Sequence, residues 1–312
     1  MKLGVDLGGT KIEVLVLDQY ETVLWRKREP TPAEDYRAIL NAIVSLVTSA
    51  KQTLGIAQSA AIGVGTPGAL IIAEDGQKVM KNCNSTVLNG QPLPKDLAEL
   101  LCCPVYIAND ANCMALAEAL SGQGRKLFDS TKPESVFGVI LGTGVGAGVV
   151  VHSKIIQGLH SITGEWGHNQ LSAESLDHLP LQEKNRICYC GRSDCIETYL
   201  SGPGLAQSYS LRFKHQLRPE QIIQNMHAGE QQAKDVWGQY LDQFANSLAN
   251  VVNILDPALI VLGGGLSQVD DIYMSIHSRM VKNVFTSSFK TPIVPALLGD
   301  SAGVFGAAWL CE

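Results

Sequence analysis

No apolar run in this chain of 312 residues approaches the roughly 20 positions that a bilayer-crossing helix requires. Behind Met1-Lys2 there is no apolar stretch with a small-residue cleavage site of the kind a secretory signal carries. Basic tracts are missing too: 24 Lys and Arg stand against 30 Asp and Glu, for a net charge of −6, and no arm concentrates the positive ones. A polyanion such as nucleic acid therefore has no electrostatic footprint to bind. Charged and aromatic residues are sparse, at 17% and 6%, while 46% of the chain is hydrophobic. That composition and length suit a large buried core divided over two domains. These shortages lead us to expect a cytoplasmic protein with neither membrane nor nucleic-acid partners.

What the chain has instead is glycine, placed in two turns of one design. Asp6-Leu7-Gly8-Gly9-Thr10-Lys11 lies between the apolar runs Leu3-Gly4-Val5 and Val14-Leu15-Val16-Leu17. Leu141-Gly142-Thr143-Gly144-Val145-Gly146-Ala147-Gly148 lies between Val136–Ile140 and Val149–Val151. A glycine turn between strands brings bare backbone amides close to an anion, because no Cβ intervenes. Two such turns facing each other would clamp a polyphosphate, which makes a nucleotide-dependent phosphotransferase the leading expectation. Asp6, beside the first turn, would repel phosphate unless it met Mg²⁺; the plainer alternative is a carboxylate capping turn amides.

The pattern along the chain reads as strands at 3–6, 12–17 and 22–28, a helix over 31–55 ending at Gly55, and a strand at 59–64. A helix at 95–101, a strand at 105–108 and a helix at 111–120 follow. The strand, turn, strand sequence then restarts over 135–156 as an internal repeat. Helices at 196–213, 219–229 and 231–255, a strand at 258–262 and a short helix at 302–310 complete an α/β fold. The polar stretch 122–134 is the expected boundary. It divides a small N-terminal domain (1–121, with 300–312 packing back on it) from a large domain (122–299).

Asn109-Asp110-Ala111-Asn112 stands where a buried strand turns into a helix, the place where α/β sheets bind ligands. Asp110 there would accept a proton from an attacking hydroxyl, or simply cap the helix. Of the 8 cysteines, Cys83, Cys102, Cys103, Cys113 and Cys311 show no ligand spacing and read as small thiols. Cys188, Cys190 and Cys195 share a tight knuckle, and with His168 upstream they make a four-donor tetrahedral Zn²⁺ site. No position is left open for water, so the zinc is expected to be structural. Glu165 and Glu197 flank the knuckle and suit sugar hydroxyls. Gly263-Gly264-Gly265 after an apolar strand permits close approach of a flat ligand such as adenine, or is only a turn with positive φ.

These motifs together resemble the ROK family of sugar kinases and repressors. The resemblance spans essentially the whole chain, and it rests on Asp6–Lys11, Asn109–Asn112, Leu141–Gly144, Glu165-Trp166-Gly167-His168 and Cys188–Glu197. It implies duplicated ribonuclease H-like domains of the hexokinase–actin superfold around a central cleft, and a homodimer. It implies ATP and Mg²⁺ held by Gly4, Asp6, Gly8, Gly9, Thr10, Lys11, Leu141, Gly142, Thr143, Gly144, Gly146, Gly148 and Gly263–Gly265. Asp110 becomes the base. Gly68, Asn84, Asn109, Asp110, Glu165, His168 and Glu197 surround the sugar, and zinc sits on His168, Cys188, Cys190 and Cys195. The stretch Lys81–Pro92 looks most like bacterial fructokinases of manno(fructo)kinase type. The expected reaction is thus phosphorylation of D-fructose at its 6-hydroxyl, with an N-acetylglucosamine or glucose kinase as the alternative. The family's repressor branch carries an N-terminal DNA-binding domain, for which no room is seen before Leu3. Asp194 departs from the family's knuckle, which has glycine there; Asp tolerates the left-handed conformation better than most residues.

Overall fold

The structure, a computed structural model, describes residues 1–311 apart from Asn84 and the side chain of Ser130. The chain opens with β1 (Lys2–Leu7), β2 (Lys11–Leu17) and β3 (Val23–Pro30), then α1 (Tyr36–Leu54), β4 (Ile62–Thr66), β5 (Ala69–Ile72), β6 (Lys78–Lys81), α2 (Leu93–Leu101) and β7 (Val105–Asn109). Next come α3 (Asp110–Leu120), α4 (Gln123–Phe128), β8 (Ser135–Leu141), β9 (Val145–Val151), β10 (Lys154–Ile155), α5 (Ala173–Asp177), α6 (Glu197–Leu200) and α7 (Gly202–Phe213). The last elements are α8 (Pro219–His227), α9 (Gln231–Leu255), β11 (Leu259–Gly263), α10 (Asp271–Met280), β12 (Ile293–Pro295) and α11 (Ala302–Trp309).

Two five-stranded sheets repeat one plan. The first has the order β3-β2-β1-β4-β7 and the second β10-β9-β8-β11-β12. In the first, β1 pairs antiparallel with β2 and parallel with β4, which pairs parallel with β7. In the second, β11 lies parallel to both β8 and β12, and β10 antiparallel to β9. A parallel neighbour needs a crossover, and helices supply it, so the inner strands are covered and their sequences are mostly apolar. β4 and β11 are buried at every residue. This is the mixed α/β, duplicated-sheet architecture expected from the sequence.

Contacts group the chain into two compact units. One holds Met1–Lys132, Gly148–Thr163 and the segment from Leu297 onward; the other holds Pro133–Ala147 and Gly164–Ala296. In the first unit, Leu3, Val5, Val14 and Val16 of the sheet pack with Ile39, Ile43 and Val47 of α1. The carbonyl and amide atoms of α11 come so close to Gly4 that a Cβ there would overlap Val304 O and lie 2.5 Å from Ala308 N. In the second unit, Trp166 meets Phe137 edge-on at 5.7 Å, and Trp237 stacks on Tyr240 at 4.8 Å.

Some element ends differ from expectation for local reasons. α1 starts at Tyr36 because Asp35 caps it, its carboxylate accepting from Arg37 N and Ala38 N; Gly55, with φ 64°, ends it. The expected helix 196–213 is interrupted at Ser201, whose hydroxyl accepts from Gly204 N and starts α7 afresh. The hairpin β5–β6, the strand β12 and the helix α10 lie in stretches to which the sequence pattern assigns no helix or strand. Cys102 is exposed, whereas Cys83, Cys103 and Cys113 are buried. Among the described residues no helix is long and apolar enough to cross a membrane.

Candidate functional site

In the first unit the site begins where β1 ends. Gly8 N donates to Lys11 O at 2.9 Å, and Thr31 Oγ1 donates to Gly8 O at 2.7 Å, which closes and anchors the first glycine turn. Gly9 and Thr10 are exposed at its tip and Lys11 begins β2. Gly4 lies upstream, mid-strand beneath α11. The Asp6 carboxylate sits against Gly303, where a Cβ would come within 2.9 Å of Oδ2. Its pKa is pushed up to about 6, first by burial, then by the charges of Asp110 and Glu13.

Asp110 is the first residue of α3, but it is not the cap. Asn109 takes that role, its Oδ1 accepting from Asn112 N at 2.8 Å. Asp110 accepts locally from Ala111 N at 2.8 Å, and the residue stays open to solvent. Protein atoms nevertheless crowd the carboxyl, so desolvation raises its pKa above the usual range while the Ala111 amide pulls against that rise. A solvent-reachable carboxylate with raised basicity is what proton acceptance requires. Gly148 belongs to this unit, and a Cβ there would lie 2.6 Å from Ala111 O, so its bareness lets β9 approach the start of α3. Gly68 is buried against Cys83 and accepts from Thr66 Oγ1 at 3.0 Å through its carbonyl. Asn84 lies outside the described residues.

In the second unit Gly142 N donates to Gly144 O at 3.0 Å, and Gly142 O accepts from Gly202 N at 2.8 Å. The second glycine turn is thereby tied to the start of α7. Leu141 ends β8; Thr143 is exposed and Gly146 half-buried. Glu197 reaches the same turn, its Oε2 accepting from Val145 N at 2.8 Å. A Cβ on Gly144 would sit 2.6 Å from that oxygen. Gly264, with φ 85°, is pressed on the Leu141 backbone, whereas Gly263 closes β11 and Gly265 faces open space.

The knuckle draws its four donors together: the ligand atoms of His168, Cys188, Cys190 and Cys195 all lie within 4.8 Å of one another. Cys190 Sγ is 3.6 Å from Cys195 Sγ, and His168 Nδ1 is 3.5 Å from Cys188 Sγ. Tetrahedral bond lengths for zinc put two sulfurs about 3.8 Å apart and a sulfur and a nitrogen about 3.6 Å apart. The donor set therefore fits zinc in type and in spacing. Three thiols this close resist joint ionisation without a cation. Hydrogen bonding from the Arg192 amide lowers Cys190 to about 6, while burial pushes Cys195 up to about 12. Asp194 has φ 57°, so it takes a left-handed turn, the conformation expected of it from the sequence. Its buried carboxylate accepts from Arg186 N at 2.9 Å and Tyr199 OH at 2.5 Å.

Sequence reasoning missed that clamp. Buried Arg186 spans from the knuckle to α7, donating to Thr198 O, Gly204 O and Ser208 Oγ, and it stacks on Tyr199 at 4.0 Å. It also missed Tyr189, whose hydroxyl lies 2.9 Å from His168 Nε2. Glu165 Oε2 is 4.0 Å from the same nitrogen. The signal for Tyr189 was its place between two ligands.

A family model described as ROK family matches residues 2–312. An N-acetyl-D-glucosamine kinase of Yersinia pseudotuberculosis is 41% identical over 310 residues, covering 99% of this chain and 98% of that protein. One of Shigella boydii is 39% identical, with 99% of each chain covered. Among solved structures, the ROK hexokinase from Thermus thermophilus aligns with a TM-score of 0.83 at 29% identity over 99% of this chain and 97% of that one. These relatives overturn the expectation of a fructokinase. The stretch that carried it, 81–92, is occupied with its own shape. Asn89 Oδ1 accepts from Cys83 N at 2.9 Å, its Nδ2 donates to Cys83 O at 3.2 Å, and Gly90 takes φ 80°.

Proposed function

The chain belongs to the ROK family, and from that premise we propose that it is an ATP-dependent kinase of N-acetyl-D-glucosamine. Full-length relatives at about 40% identity that carry this name support the choice of sugar. One observation carries the chemistry: Asn109 does the capping, which leaves Asp110 as an accessible carboxylate of raised basicity at the head of α3.

In this reading Asp110 accepts the proton of a sugar hydroxyl as that oxygen forms its bond to the γ-phosphorus and ADP departs with the broken bond's electrons. The two glycine turns offer backbone amides to the phosphates, and Lys11 adds a positive charge beside the first. Asp6 fits Mg²⁺, since its charge is opposed by Asp110 and Glu13 and any cation relieves that opposition. Mg²⁺, when bound, neutralises phosphate charge. His168, Cys188, Cys190 and Cys195 would hold zinc, which braces the turn after Glu165 and the start of α6 at Glu197. Asn109 offers its side chain to a sugar hydroxyl from the first unit, where Gly68 shapes a turn, and Glu165 and Glu197 offer theirs from the second.

The test is an ATP-coupled assay over N-acetyl-D-glucosamine, N-acetyl-D-mannosamine, glucose, mannose and fructose. N-acetyl-D-glucosamine is expected to have the highest kcat/KM; a preference for any other sugar overturns the substrate. Asp110→Asn is expected to lose turnover by at least ~10²-fold while sugar binding, read by calorimetry, persists. Turnover near the parent's would remove Asp110 from the mechanism.

A further inference from the structure

Tyr189 is a large aromatic residue left 81% exposed in the middle of the tightest motif of the chain. Its neighbours on both sides, Cys188 and Cys190, belong to the four-donor cluster, so its backbone is pinned wherever that cluster is closed. The ring stands edge-on to His168, with centroids 5.1 Å apart and planes at 85°. Its hydroxyl lies 2.9 Å from His168 Nε2.

The proton arrangement follows from which nitrogen faces the thiols. His168 turns Nδ1 toward Cys188 Sγ, so when Nδ1 accepts from that thiol or binds a cation held by the cluster, the proton of the neutral ring belongs on Nε2. Nε2–H then donates and the Tyr189 oxygen accepts. A phenol is protonated at neutral pH, so its own O–H is directed at a different acceptor. A carboxylate stands on the same nitrogen: Glu165 Oε2 is 4.0 Å from His168 Nε2.

Ionised carboxylates only accept hydrogen bonds. They serve sugar hydroxyls, which can donate, but they offer nothing to an amide carbonyl, which only accepts. N-acetyl-D-glucosamine differs from glucose by an acetamido group, and its carbonyl oxygen needs a donor. Here the His168 proton is engaged by Tyr189, and the exposed side-chain donor beside it is the phenolic O–H. We propose that Tyr189 is a specificity-determining residue of the sugar site, donating its O–H to the carbonyl oxygen of the substrate's acetamido group. The chain of donors runs from the pinned imidazole through the phenol to the sugar. This inference rests on the reading of the protein as an N-acetyl-D-glucosamine kinase.

The test compares the parent and Tyr189→Phe on two sugars, N-acetyl-D-glucosamine and glucose, with ATP. Each sugar's kcat/KM is measured, or its inhibition constant against N-acetyl-D-glucosamine where its turnover is slow; zinc content is read by elemental analysis. The variant keeps the ring and removes only the hydroxyl, which leaves the bound carbonyl without its partner. The N-acetyl sugar is expected to lose at least about ten-fold more than glucose, with zinc content retained. Equal losses on both sugars would show that Tyr189 only steadies His168, and would overturn the proposal. A selectivity unchanged from the parent would overturn it as well. A parent enzyme that does not phosphorylate N-acetyl-D-glucosamine at all would instead sink the functional reading, a result distinct from either.

Discussion

The carboxyl of Asp6 titrates near 6 rather than near 4 because burial, then Asp110, then Glu13 oppose its ionisation. In the unfolded chain it is an ordinary carboxylate, so the folded state binds this proton more tightly than the unfolded one does. Stability from this group is full below pH 3.8 and falls as pH rises toward 6, after which the loss is complete. At neutral pH the charged Asp6 costs the fold up to about 3 kcal/mol. Asp6→Asn is therefore expected to raise the melting temperature at pH 7.5 by several degrees, with the gain vanishing toward pH 4, and to abolish turnover. Thermal unfolding across pH checks the first part and the coupled assay the second. A variant destabilised at neutral pH would show that Asp6 is held by contacts that favour its charge. Gly144→Ala belongs to the same scale. Its Cβ would displace the Glu197 oxygen that holds Val145 N, so turnover is expected to fall by more than ~10-fold, with a stability loss of only about 1 kcal/mol. Residue types of this kind were legible from the chain: Asp6, Asp110 and the glycines stood out. What each glycine faces was not, because the partners of Gly4 lie near residue 304 and the partner of Gly144 is residue 197.

At the scale of elements, periodicity was readable where an element is long and its caps are strong. α9 was legible over its whole length because Val236, Trp237, Tyr240, Phe244 and Leu248 mark one face and Asp256 ends it in the left-handed conformation. α10 escaped: its face is only Ile272, Ile276 and Met280, and no side chain caps its start. β5 and β6 have four residues each and turn at Gly76, too short for an alternation to register. The knuckle was legible in its four donors and in the left-handed turn at Asp194, but not in the buried bonds of that carboxylate to Arg186 and Tyr199, which depend on groups distributed over 186–199. This element carries its own prediction. Purified protein is expected to hold close to one zinc per chain. Stripping it with a chelator should lower the melting temperature and raise both substrates' KM by ~10-fold or more, since Glu197 joins the knuckle to the second glycine turn. Zinc restores both. Unchanged melting under chelation would remove the metal from the structure's support.

At the scale of the whole molecule, the two sheets share one plan, and the strand, glycine turn, strand repeat made that visible in advance. The fold's closure lies outside that repeat, in the segment 300–312 that was expected to pack back on the first domain. The last helix, α11, lies against β1, β4 and α3, so the first strand of the chain is roofed by its final segment. Three glycines make this approach possible: Gly4 and Gly63 on the strands and Gly306 on the helix, each too close to opposing backbone to admit a Cβ. Gly4 stands just before the first glycine turn, where the family resemblance links it to the nucleotide. The packing of α11 makes a different demand on the same atom, and the two demands separate experimentally. In Gly4→Ala the new methyl meets backbone atoms of Val304 and Ala308 that belong to a helix and cannot yield singly. The helix must shift as a body and loosen the buried contacts of Val304 and Ala308 with Leu15 and Leu17. A loss of about 2–3 kcal/mol is expected, of the size that overpacking a core produces. It should appear as a lower melting temperature and faster proteolysis of the segment from Leu297 onward, while the KM for ATP of the folded fraction stays near the parent's. A raised KM for ATP at an unchanged melting temperature would return Gly4 to the nucleotide and leave the closure to the other two glycines.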